Sequence, residues 1–152
     1  MSKQGVFIRY WLPVLVWASL IFWGSTDLLS DRQTSRFIGP LLRWFVPDLS
    51  EEAVGRVQYG VRKLGHIAEY AVLAILLHRA IRGPAAGEKR AWSWRCAFWA
   101  FGLAVGYAVT DELHQAAVAT RYGSWLDVLI DAAGAAVGLA LYRAFERNGS
   151  RR

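Results

Sequence analysis

An all-α integral membrane bundle of about four spanning helices is predicted by three observations. Hydrophobic residues make up 55% of the 152 residues and charged residues only 20%. With a mean hydropathy of +0.22, this balance is high for a soluble domain. Four apolar runs approach the ~20 residues that a helix needs to cross a bilayer. The chain also carries eight Trp and six Tyr. Trp11, Trp23, Trp44, Trp92, Trp94, Trp125 and Tyr142 flank those runs, where amphipathic rings favour the membrane boundary. The length suits a single domain over residues 1–152.

In the first run, about 6–24, Lys3 and Arg9 precede the apolar core as they would in a signal peptide. Its core is crowded with Trp11, Trp17, Phe22 and Trp23 and no A-x-A-like site follows, so an uncleaved helix is expected, kinked at Pro13. In the loop beyond it, Phe37, Ile38, Leu41, Leu42, Trp44, Phe45 and Val46 alternate with Arg36, Arg43, Pro40 and Pro47. This pattern predicts a short segment lying in the headgroup layer. Asp27, with Ser25 and Thr26, either caps the first helix beside the polar residues or is solvated, and solvation is the favoured reading. Ser50 before Glu51 and Glu52 predicts an N-cap with an acidic first turn. The second helix therefore begins outside the membrane and enters near Lys63, with its span at about 64–81 and His78 at its far interface. The third run covers about 94–109, where Gly102 and Gly106 are expected to allow close helix approach. Ser124 is a candidate N-cap for the fourth, about 125–145, whose Gly134 and Gly138 share a stripe with Asp127 and Asp131.

Lys and Arg near the helix ends favour both termini inside, as in a multi-pass protein of a cytoplasmic membrane. The net charge of +6 is spread between apolar segments rather than gathered on one polar face. It points to anionic membrane lipids as partners and not to nucleic acid. The single Cys96 excludes an internal disulfide and is read as a packing residue.

Against this apolar background stand Lys63, His66, Glu69, Asp111, Glu112, His114, Arg121, Asp127 and Asp131. Ionisable residues in membrane-length segments are costly and are functional suspects. The topology puts all of them on one side. Lys63, His66, Glu69 and Tyr70 share one helical face, because each residue advances about 100°. Imidazole and carboxylate oxygens suit several divalent ions. Without HExxH or a comparable signature, however, no metal ligand is assigned from spacing and the cofactor is left open.

In order, Lys63-Leu-Gly-His66-Ile-Ala-Glu69-Tyr70, then Asp111-Glu112-Leu-His114-Gln115, then Arg121-Tyr-Gly-Ser124-Trp-Leu-Asp127-Val-Leu-Ile-Asp131-Ala-Ala-Gly134 resembles the VanZ-like family of small bacterial membrane proteins. Two departures stand out: Ala119-Thr120 where the family often has Pro-Gly, and Asp131 where Asn is common. The family's namesake is associated with teicoplanin resistance, so the resemblance implies a role in the cell envelope. It also implies the working residues. His66, Glu69, Asp111, Glu112, His114, Asp127 and Asp131 become the candidates for chemistry, and Lys63, Tyr70, Gln115 and Arg121 for ligand binding.

Three functions fit this pattern. The favoured one is binding of a lipid-linked or cell-wall precursor at the outer face. An enzyme on an envelope lipid would use His66 or His114 as acid or base, with Arg121 and Lys63 holding phosphate. A purely structural network is the third. The paired Ser-Gly-His and Ser-Arg motifs of acid phosphatases are absent, as is G-x-S-x-G. About four helices also leave little room for the inverted repeats of a transporter.

Overall fold

A computed structural model of the chain describes residues 2–26, 31–83, 92–117 and 123–149. They form five helices, with no strand among the described residues. Helix α1, Lys3–Gly24, contains a π-helical turn at Phe7–Trp11 just ahead of Pro13. Proline has no N–H to continue the α ladder, and the wider turn meets that need without ending the helix. Helix α2 is Asp31–Phe45, followed by α3, Glu51–Arg82, then α4, Trp94–Ala117, and α5, Trp125–Gly149.

The caps follow from the sequence. Ala53 donates its backbone N–H to Ser50 Oγ at 3.2 Å, and Leu126 donates to Ser124 Oγ at 3.3 Å, so each hydroxyl satisfies an orphan donor of a first turn. The acidic start of α3 is tied down as well. Glu51 pairs with Arg43, and Glu52 accepts from Arg56 at 2.5 Å.

Three helices are long and apolar enough to cross a membrane: Lys3–Gly24, Glu51–Arg82 and Trp125–Asn148. The fourth expected span, α4, is not among these three, though it packs against α3 and α5 in the same bundle. Helix α4, with 24 residues, is long enough at about 36 Å. Its apolarity falls short because Arg95, Tyr107 and the run from Asp111 to Gln115 are part of it. The helix also continues past the expected end at Val109 to Ala117, so those polar residues are helical. Helix α3 has 32 residues and reaches about 48 Å, well beyond a hydrocarbon core of ~30 Å. Its first turns therefore lie outside such a core, as Ser50 and the two glutamates predict.

Packing centres on α3, α4 and α5, with α1 laid against the outside of α3. Helix α4 turns inward a face of Ala100, Ala104 and Ala108, all fully buried, that continues into Asp111, Glu112 and Gln115. Gly102 and Gly106 do not serve the close approach expected of them. Both are exposed, with nothing within 4 Å of an added Cβ. They lie about 200° around the helix from Ala104 and Ala108, and the polar residues decide which face turns in. Gly134 and Gly138 of α5 do permit contact, because a Cβ there would meet the Ile67 and Ala71 carbonyl oxygens of α3 at 2.6 and 2.5 Å.

Two long-range bonds dock α1. Trp17 donates its indole N–H to Glu69 O at 2.9 Å, and Tyr107 donates its hydroxyl to Ala18 O at 2.6 Å. At the end of the bundle far from the first loop, Arg82 and Glu146 form a buried pair at 2.8 Å. His78, expected at an interface, is fully buried there. It stacks on Trp92 with centroids 4.5 Å apart and meets the edge of Tyr142, an aromatic cage that seals this end. Helix α2 is amphipathic, as the alternating pattern predicts, and exposes Leu41, Trp44 and Phe45.

Candidate functional site

The opposite end of the bundle is where the polar residues meet. They are contributed by the carboxyl end of α1, the middle of α3, the carboxyl end of α4 and the first turns of α5. Spacing explains the delivery. On α4, Asp111, Glu112 and Gln115 continue the alanine face one turn further, and on α5, Asp127 and Asp131 are one turn apart. All five are buried, with Gln115 and Asp131 fully enclosed.

Four local connections organise the cluster. Lys63 and Asp127 form an ion pair between α3 and α5. One turn deeper, His66 Nδ1 lies 3.1 Å from Asp131 Oδ1, joining the same helices. Ser25 donates its hydroxyl to Asp111 Oδ2 at 2.8 Å, and Gln115 Nε2 donates to the same oxygen at 3.1 Å. Ser124 donates its backbone N–H to Glu112 Oε2 at 2.8 Å, which ties the start of α5 to the end of α4.

Several polar atoms stay unmatched inside this shell. Tyr70 Oη, Asp111 Oδ1, Glu112 Oε1, His114 Nδ1 and Asp131 Oδ2 are buried without a hydrogen-bond partner among the described residues. Such atoms cost about 1–3 kcal/mol each. Donor atoms of His66, Glu112 and Asp131 all lie within 4.8 Å of one another, so three helices converge on one point with an imidazole and two carboxylates.

The remaining candidates take other positions. Glu69 is half-buried, and its backbone carbonyl holds Trp17. The His114 ring stacks on Phe22 of α1 at 4.5 Å and is not one of the three converging groups. Arg121 and Asp27 lie outside the described residues. Ser25, grouped with Asp27 as a helix cap beside the cluster or, by preference, as solvated, is buried and bonded to Asp111. A lone hydroxyl at the end of an apolar run gives little signal of its own, but its level opposite Asp111 in the predicted topology was available to find it.

A helical bundle with membrane-length helices and a buried polar cluster at one end defines a class of membrane protein. More narrowly, the chain belongs to the VanZ/LLP1 family, whose model matches residues 10–146. No curated protein and no solved structure matches the chain.

Proposed function

We propose that this chain binds the polar headgroup of an envelope lipid, such as a lipid-linked cell-wall precursor, at the cluster formed by α3, α4 and α5. The observation that carries this reading is the set of unmatched buried atoms on Tyr70, Asp111, Glu112, His114 and Asp131. A network that serves packing alone pairs its buried polar atoms, because each orphan is destabilising. Unmatched ring nitrogens of His78 and Trp92 also lie at the far end, but at this end five such atoms, three of them carboxylate oxygens, come from α3, α4 and α5 and suit a ligand that supplies the missing bonds. Distribution of Lys and Arg places that end at the outer face, with both termini cytoplasmic.

Native mass spectrometry of protein extracted with its own lipids tests the reading, comparing wild type with Tyr70→Phe. Removing a hydroxyl that has no partner among the described residues leaves the melting temperature in detergent unchanged or higher, while retention of the bound lipid falls about tenfold. A purely structural network predicts identical lipid profiles.

The His66–Asp131 contact of 3.1 Å favours a second reading, an enzyme on the same class of lipid. A carboxylate beside an imidazole orients the ring for general acid–base work. If catalysis occurs, His66→Ala lowers turnover of an envelope lipid by 10²-fold or more while the lipid is still bound. Unchanged lipid composition in cells expressing wild type or variant removes this reading and leaves the binder.

A further inference from the structure

We propose that His66, Glu112 and Asp131 form a site for one divalent transition-metal ion of the Zn2+ or Mn2+ type. This inference shares Glu112 and Asp131 with the headgroup reading but concerns the ion alone, and it is tested without any lipid. The three side chains come from three different helices, each is more than nine-tenths buried, and their donor atoms lie within 4.8 Å of one another. Ligand atoms about 2.1 Å from a common ion sit ~3.4 Å apart in a tetrahedral site. The 3.1 Å between His66 Nδ1 and Asp131 Oδ1 is already near that value, and the widest pair closes by an ångström or so.

A second observation points to a ligand at this spot. Glu112 Oε1 and Asp131 Oδ2 are buried without a hydrogen-bond partner among the described residues, so each carboxylate offers a second oxygen for coordination. Glu112 is also held from the other side, because its Oε2 accepts from the Ser124 backbone, an outer-shell bond of the kind that orients metal ligands. Charge favours a cation too. Lys63 is committed to Asp127, which leaves Glu112 and Asp131 with the His66 ring as their basic neighbour among the described residues. Two buried carboxylates are poorly compensated by one imidazole, and a divalent ion supplies the charge they lack. The mixed nitrogen and oxygen donors suit Zn2+ or Mn2+ better than Mg2+ or Ca2+, which take oxygen ligands. His114 lies apart against Phe22 and is not needed.

Purified full-length protein in detergent, stripped with a chelator and then equilibrated with Zn2+ or Mn2+, provides the test by elemental analysis after desalting. One equivalent is retained by wild type, and Asp131→Asn and Glu112→Gln each weaken binding by at least tenfold. Cys96→Ser, remote from the cluster, keeps it. Spin-echo spectroscopy of the Mn2+-loaded wild type shows coupling to an imidazole nitrogen, a readout that does not depend on any variant folding. Failure of monodisperse wild type to retain either ion overturns the proposal. So does retention without nitrogen coupling, or binding that both substitutions leave untouched.

Discussion

Lys63 and Asp127 show how single residues carry the cost of this site. Their side chains are 17% and 8% exposed, so neither charge is solvated enough to stand alone. Removing one partner strands the other, a loss of about 3–5 kcal/mol where a buried pair is broken. Lys63→Met or Asp127→Leu alone is therefore expected to lower the detergent melting temperature sharply. The double variant should recover most of the loss, because two apolar side chains of similar volume remove both desolvation penalties. Thermal unfolding of the four proteins forms a complete cycle, and additive losses would mean that the two side chains do not act as a pair. The His66–Asp131 contact sits one turn below. Its behaviour differs from the ion pair because the imidazole carries charge only when protonated.

At the scale of elements, close approach of α3 and α5 sets the geometry on which that cluster depends. Gly134→Ala or Gly138→Ala drives a methyl into the α3 backbone at 2.5–2.6 Å, and both chains must shift. The expected loss is about 1–3 kcal/mol by overpacking, with a larger one for Leu. Gly102→Ala and Gly106→Ala on α4 meet open space and should gain about 0.5–1 kcal/mol from reduced backbone freedom. Equilibrium unfolding of the four single variants separates the two pairs by sign. The same glycines show where the sequence is legible. A small-residue stripe shared with Asp127 and Asp131 marks the inner face of α5 correctly, because polar and small residues point the same way. On α4 the glycines and the polar residues lie on opposite faces, and the Ala100–Ala104–Ala108 row goes inward with Asp111. Reading the polar residues first gives the right face. The end of α4 was hidden for a related reason: Asp111 to Gln115 depress hydropathy without breaking the helix. Hydropathy reports burial in lipid, whereas these side chains are buried in protein.

At the scale of the whole molecule, the two ends of the bundle differ in kind. One carries the converging carboxylates and imidazole, and the other is closed by the Arg82–Glu146 pair and the aromatic cage around His78. Helices α1, α3 and α5 expose large apolar side chains along their outer faces, among them Leu15, Leu20, Leu64, Leu129 and Leu141. Such a surface suits lipid and fixes the bundle axis across a bilayer, but it leaves the direction of the chain open. Lys and Arg near the helix ends favour one direction, and on the proposed reading both termini lie inside and the polar cluster outside. Cys96 sits about 22 Å along α4 from Asp111, and Asp48 is exposed between α2 and α3 on the side of the cluster. In intact cells, a maleimide that cannot cross the membrane should leave Cys96 unmodified and react with it only after permeabilisation. Asp48→Cys in a Cys96→Ser background should react in intact cells. The reverse pattern would put the cluster in the cytoplasm, and the lipid tested against it would then have to come from the inner leaflet.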